Sequence, residues 1–540
     1  MSDREAPLVF ETPGGLSVEY RGRLLYSARM PAALPVRIAA ACDRGPSRLH
    51  LVPSPLLWYG ARELLGSMGP GSALLFVETD PLLAALARER MPPELAEDLR
   101  VSFIETASIA EIVTAARRMG NFRSCSLVQL SGGPALDAQA YEAMASALQS
   151  EFEASWRNRA ALMVLGPRWA RNIFDNIAAL ESLGIERMPS LPGAVLVCGA
   201  GPSLEEALPF ARSRRAELRL VACDTALGTL LASGLEPDLV ICLEGQAHNL
   251  ADFTCLGSKA IPLVADISSH PSSFRAVRGR KHLTFARIWP SPFLSRVESA
   301  LVASGTPFLP MPPLGSVGVH AVHLARALSD GPILAAGLDF SFELGKTHAR
   351  GCPSLLAEER RLNRLTRWQG QYSVSFRDRN LALDGGRLTD PTLLSYASLL
   401  AEGEGAGRGL YDLRSKGPSI GGRRLDQAQA GALLDAQPAK IESPTRQPGC
   451  DGSKVGGTAR SILSGEASRL EALRLSMRGQ RILPRSEFRR LVLESDYLWW
   501  GFPDQDRAAE LPQDFLNRLV PQVEYWAYRL GRLMEAAGTS

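Results

Sequence analysis

Paired cysteines are missing from this chain. Its eight cysteines are scattered, with no Cys-x-x-Cys spacing, which excludes a disulfide framework and a structural zinc knuckle as organising devices. An excess of either charge is missing too. The 60 Lys and Arg residues stand against 57 Asp and Glu, for a net charge of +3, so no global field argues for a nucleic-acid partner. No apolar run approaches the roughly 20 residues of a membrane-spanning helix. The opening MSDREAPLVF carries charge where a secretory signal needs an apolar stretch. Together these absences predict a reduced, cytoplasmic protein without a membrane span. No internal repeat is evident.

What is present is ordinary soluble-protein text: 540 residues, 45% hydrophobic and 22% charged, too long for a single core. Residues 1–150 alternate strand-like and helix-like segments: LSVEYRGRLLYS, SRLHLVPSP, LLWYGARELLGSM, GSALLFVETD, PLLAALARERM and CSLVQLSG. That order predicts an α/β domain. Glu78 ends one strand where Rossmann-like proteins hold a ribose, but the stretch after the first parallel strand is LVPSPLLWYG, with prolines in place of clustered glycines. The domain is therefore expected to be non-catalytic. Residues 137–190 read as mostly helical.

A second α/β domain is expected over 190–425. The runs VLVC, LRLVACD, PDLVICLEG, AIPLVADIS, KHLTFARI and PILAAGLDFSF are apolar without alternation, as in a parallel sheet covered on both faces. Residues 426–460, rich in Pro, Gly and Ser, are expected to be a flexible linker, and 461–540 a helical domain with amphipathic periodicity. The fold class is thus α/β and multidomain, with a Rossmann-like open parallel sheet at the centre.

Candidate chemistry gathers at strand ends in the central domain. Gly199-Ala200-Gly201-Pro202-Ser203 joins a strand to a helix. Its glycines permit close approach, Ser203 suits an N-cap, and a helix N-terminus attracts phosphate. The turn is neither a dinucleotide fingerprint nor a P-loop, and a plain capped turn explains it as well. Asp224, Glu244 and Asp339 end other strands, at the edge where open sheets bind ligands. Gly315, Ser316 and Gly318 precede another helix. Lys346, Thr347, His348 and Arg350 follow Asp339 on one loop, with His348 the candidate general base. His320 and His323 share a helix without a third ligand in reach, and Asp504 and Asp506 read as solvated charge.

In order, GAGPSL, ACDTALGTLLASGLEPDLVICLEGQ, GSVGVHAVHLARAL and GLDFSFELGKTHARG resemble the motility-associated factor family of flagellin glycosyltransferases. The central domain is also similar to 6-hydroxymethylpterin diphosphokinases, and more distantly to bacterial sialyltransferases. The resemblance implies a metal-independent, cofactor-free transferase that moves a nonulosonic acid of pseudaminic or legionaminic type from a CMP-sugar to Ser or Thr of flagellin. It implies nucleotide binding by Gly199, Gly201, Pro202, Ser203, Asp224, Glu244, Ser316 and Gly318; beside these, Asp339 as a strand-end acid is expected at the nucleotide, and the loop cations Lys346 and Arg350 at the sugar carboxylate or the phosphate. Ala200 stands where sialyltransferases carry asparagine, Val317 where they carry serine, and Glu244 where the motility family more often has aspartate. Two alternatives follow: an ATP-dependent pterin pyrophosphokinase, for which the three strand-end acids could hold magnesium, and a non-catalytic flagellin-binding accessory protein.

Overall fold

The protein is described here from a computed structural model covering residues 6–42, 44–287, 289–367, 381–384, 387–402, 409–436 and 452–538. Two compact units divide the chain, Met1–Val164 and Leu165–Ser540. Both are built on parallel sheets, as the runs of unalternating apolar residues require.

The first unit opens with an antiparallel meander, β1 (Leu8–Thr12), β2 (Gly15–Tyr20) and β3 (Arg23–Leu24). Then come β4 (Arg48–Pro53), β5 (Ala73–Glu78), β6 (Val101–Glu105) and β7 (Ser124–Leu127), a parallel sheet in the order β6-β5-β4-β7. The helix expected over LLWYGARELLGSM is confined to Ala61–Ser67. Leu56 and Trp58 sit at φ +43° and +58°, and Gly60 at +81°, values that no helix accommodates. Ser54, before Pro55, is also left-handed at φ +49°. The expected helical connection is one long helix, Ala138–Leu183.

The second unit holds β8 (Val195–Cys198), β9 (Arg219–Cys223), β10 (Leu239–Cys242), β11 (Leu263–Asp266), β12 (Lys281–Ala286), β13 (Leu309–Met311) and β14 (Ile333–Ala336). After them come a small hairpin, β15 (Ala382–Asp384) and β16 (Arg387–Thr389), and two edge strands, β17 (Leu410–Asp412) and β18 (Arg423–Arg424). The large sheet runs β13-β12-β11-β10-β9-β8-β14-β17-β18 and is parallel throughout. Every residue of β8, β10, β11 and β14 is buried. Val195, Val197, Val221 and Ile241 share one core with Val319 and Val322 of the helix Val317–Leu328.

Part of the segment expected to be a flexible linker is helical. Gln427–Asp435 is a helix started by a capping box, in which Asp426 and Gln429 bond each other's backbone, and another helix, Gly452–Met477, begins inside the segment. Residues 437–451 lie outside the described residues. The C-terminal helices Gly452–Met477, Arg485–Glu494 and Gln513–Gly538 belong to the same compact unit as the central sheet. Phe293 explains why. It packs against Phe174, Tyr497 and Trp500, and its N–H donates to Asp496 at 3.1 Å. Among the described residues no helix is long and apolar enough to cross a membrane.

Candidate functional site

Strand order locates the site before any side chain is considered. From β8 the chain adds β9 through β13 on one side, then crosses to β14, β17 and β18 on the other. The connections after β8 and β14 therefore leave toward opposite sides of the sheet, the arrangement that in open sheets makes a ligand crevice at the carboxyl edge. The glycine turn follows β8, and Asp339 follows β14.

These two turns are interlocked. Gly199 N–H donates to Ala336 O and Gly201 N–H to Gly337 O, both at 2.8 Å. A methyl group at Gly199 would lie 2.3 Å from Gly337 O, and one at Gly201 would lie 2.2 Å from Asp339 Oδ2. Close approach, not backbone handedness, demands glycine at both positions. Ser203 N–H donates to Asp339 Oδ2 at 2.9 Å, while the Ser203 side chain makes no capping bond to the helix Leu204–Ser213. The expected serine cap is thus supplied by an aspartate from another strand. The N–H groups of Leu204, Glu205 and Glu206 turn back onto the carbonyls of Gly201, Pro202 and Ser203.

Asp339 is a buried carboxylate, and burial pushes its pKa up, with Ser203 and Arg387 pulling it back. Arg387 lies 3.1 Å from Asp339 Oδ2 and bonds Glu343 with its other nitrogen, at 3.1 Å. Arg414 grips both oxygens of Asp412 and donates to the carbonyls of Leu338 and Asp339. Neither arginine was singled out from sequence; both come from the irregular text after residue 385. The one available signal was indirect: an aspartate ending a fully apolar strand needs a partner.

Asp224, at the end of β9, is buried. It accepts from Thr225 N–H at 2.9 Å and from Asn249 Nδ2 at 2.6 Å. The Thr225 hydroxyl lies between Asp224 Oδ1, at 3.4 Å, and Asp252 Oδ2, at 3.2 Å. Burial, then the charge of Asp224, pushes the Asp252 carboxyl up to about 7. Glu244 is half-buried and accepts from Gln246 N–H at 2.9 Å. Asp266 ends β11 as Asp224 ends β9, and accepts from Ser268 N–H at 2.9 Å and from Ala286 N–H at 2.8 Å. Sequence reading passed over Asp252 and Asp266, although Asp266 carries the same strand-end signal.

The loop bearing His348 docks on the glycine turn. Ala349 N–H donates to Ala200 O at 2.8 Å, and Thr229 Oγ1 to Arg350 O at 2.7 Å. His348 Nδ1 is 3.0 Å from Thr347 Oγ1, which itself donates to Glu358 at 3.0 Å. With its proton committed to Glu358, that hydroxyl accepts from Nδ1–H, and the neutral ring keeps its lone pair on Nε2. Burial lowers the His348 pKa, favouring the neutral ring. Lys346 and Arg350 are turned to Glu205: Lys346 Nζ is 2.9 Å from Oε1, which also accepts Arg350 N–H at 2.7 Å, and Arg350 Nε is 3.9 Å from Oε2. The Lys346 charge is therefore engaged within the protein.

Ser316 heads the helix Val317–Leu328 without a side-chain cap, and a methyl at Gly318 would meet Leu338 Cδ2 at 2.7 Å. That helix end therefore abuts the turn after β14. His320 is deeply buried, and burial, with His323 beside it, pushes its pKa down to about 4. No group of three His, Cys, Asp or Glu suited to a metal exists among the described residues. Asp504 is paired to Arg518 at 2.6 Å in the C-terminal helices.

In the first unit a cavity of about 240 Å³ at the end of β5 is lined by Arg21, Thr79, Asp137 and Tyr141, among others. Glu78 borders it, but its oxygens already accept from Ser54, Tyr141 and the N–H groups of Thr79 and Asp80. Such a carboxylate has little capacity left for a ribose.

Comparison with known proteins adds three findings. Residues 170–345 match the family model described as 6-hydroxymethylpterin diphosphokinase MptE-like. An uncharacterized protein of Treponema pallidum (strain Nichols) is 28% identical across 98% of this chain and 95% of its own length, and a second from the same organism is 34% identical over 15% of this chain and 39% of its own. Among solved structures, a Maf glycosyltransferase from Magnetospirillum magneticum AMB-1 superposes with a TM-score of 0.58 at 13% identity, covering 99% of this chain and 93% of that one. The chain thus has the fold of a Maf glycosyltransferase along nearly its whole length, with an MptE-like domain at its centre, as the four motifs led one to expect.

Proposed function

We propose that the protein is a glycosyltransferase that moves a nonulosonic acid of the pseudaminic or legionaminic type from its CMP-sugar to a Ser or Thr hydroxyl of flagellin. The observation that carries this reading is the whole-length likeness to a Maf glycosyltransferase fold, joined to a crevice in which His348 is tied to the glycine turn through Ala349 and Ala200. The acceptor oxygen attacks the anomeric carbon, the bond from that carbon to the phosphate oxygen breaks, and CMP leaves with the electron pair. His348 Nε2 takes the hydroxyl proton. The amides at the start of Leu204–Ser213 are engaged internally, so the uncapped end at Ser316 and Gly318 is the better candidate to meet the phosphate. No metal is needed in this scheme.

The MptE-like match keeps a second reading in view, a pterin pyrophosphokinase with magnesium held by strand-end acids such as Asp224. Calorimetric titration with CMP and with Mg-ATP separates the two: saturable CMP binding without metal is expected, and binding of Mg-ATP alone would overturn the transferase reading. His348→Ala should retain CMP affinity and lower transfer by roughly 10²–10⁴-fold. The mass of flagellin from cells with and without the protein tests acceptor and sugar together.

A further inference from the structure

The long helix Ala138–Leu183 carries two asparagines one turn apart, Asn172 and Asn176, on one of its faces. Both are buried, at 5% and 1% exposure. An asparagine amide has two N–H donors, and here each asparagine uses both on carbonyls at the sheet's carboxyl edge. Asn172 Nδ2 donates to Gly245 O and Ser268 O, both at 2.9 Å. Asn176 Nδ2 donates to Ile267 O and Ser269 O, both at 2.8 Å. Asn172 therefore ties the loop after β10 to the loop after β11, and Asn176 holds two carbonyls of the latter. Trp169, on the same helix, packs closely on Gly245, where an added methyl would lie 3.1 Å from its ring.

The held carbonyls sit next to the site's acids. Gly245 follows Glu244, whose side chain accepts from Gln246 N–H and whose carbonyl accepts from His270 N–H at 3.0 Å. Ser268 N–H and hydroxyl both donate to Asp266, and the Ser269 hydroxyl donates to Cys242 O. A loop released from the asparagines would shift Glu244 and Asp266 together, while the contacts of β8 and β14 do not run through it.

We propose that Asn172 and Asn176 are positioning residues, which lock the loops after β10 and β11 so that Glu244 is presented at the crevice for the nucleotide. This rests on the reading of the crevice as a nucleotide site. The test uses the full chain with Asn172→Leu, which removes both donors at similar volume, and Asn176→Leu. Two quantities are measured: hydrogen exchange at the amides of Gln246, Ser268 and His270, and affinity for CMP. Exchange at these amides is expected to rise at least tenfold, with no change in the amides of β8 and β14, and CMP affinity to fall about tenfold. Looser loops with unchanged CMP affinity would make the asparagines merely structural and overturn the proposal, as would unchanged exchange. If the native chain itself binds no CMP, the nucleotide reading is what fails. Mg-ATP then replaces CMP as the probe, and if neither binds, the proposal falls with the nucleotide reading it rests on. Should the leucine variants fail to fold, Asn172→Ala, which leaves space for water at both carbonyls, carries the same comparison.

Discussion

The two parallel sheets meet the same topological situation with opposite chemistry. In each, the first parallel strand sits between its neighbours and a turn leaves its carboxyl end: Pro53-Ser54-Pro55 after β4, and the glycine turn after β8. In the first unit the strand-end acid, Glu78, is satisfied by nearby hydroxyls and by the two amides that follow it. In the second, Asp339 is held by a cation from a separate hairpin, Arg387, and reaches back to the turn after β8 to cap a helix. Prolines fill the turn after β4, and glycines let the turn after β8 come within bonding distance of its neighbour. The presence of an acid at a strand end does not mark a site; what the acid still has free, and what must come near it, does.

Breaking the second arrangement should cost the most. Arg387→Met leaves Asp339 buried without its charge partner, and truncating one member of such a pair costs about 3–5 kcal/mol. Denaturant unfolding should show that loss. A change below 1 kcal/mol would mean that Asp339 is neutral in the folded protein. Next comes Gly201→Ala, whose methyl has no space beside Asp339. Overpacking of this kind costs about 1–3 kcal/mol, and nucleotide affinity should fall with it, because the two turns must separate.

The first unit should respond differently. Ser54→Ala removes the 2.6 Å bond to Glu78 and should lower stability by about 1.5 kcal/mol, the usual range for a hydrogen bond to a charged group. Nucleotide affinity should be unchanged in the same preparation, and a parallel fall would break the contrast drawn above. A pH-dependent effect is expected at Asp252. Its carboxyl is pushed up to about 7, against about 3.9 in an unfolded chain. Between those values the folded state keeps a proton that the unfolded state has lost, so stability from this group is greatest below about pH 4 and is lost as pH rises toward 7. Asp252→Asn cannot ionise and should gain stability relative to the native chain at pH 8 compared with pH 5, as paired thermal melts would show.

Much of the fold was legible because buried parallel strands announce themselves. VLVC, LVIC and LVAD are apolar on both faces, and all became central strands. The short β13 was not read, since its three residues include a proline, and neither was β6, whose VSFIE is only half-buried. The glycine turn and the acids Asp224 and Asp339 were legible from their place after a strand. Their partners were not. Arg387, Arg414 and Asn249 become neighbours of these acids only through folding, and nothing local distinguishes them from surface residues. Lys346 was read as a substrate ligand because its loop looked rich in unpaired cations. Its partner, Glu205, stood in the first turn of the helix after the glycines, where an acid is favourable for a different reason.

The helix Ala138–Leu183 crosses the boundary between the two units, which falls after Val164. Its early residues, Tyr141 among them, complete the first unit, and its later ones, Asn172 and Asn176, complete the second. A recombination event that exchanged the first unit for another would have to cut inside a continuous helix. An insertion of one residue between Asn172 and Asn176 would rotate the second by about 100° relative to the first, and the pair could no longer both reach their carbonyls. Within the second unit, the length of that helix segment is for this reason expected to be conserved more strictly than its exposed residues.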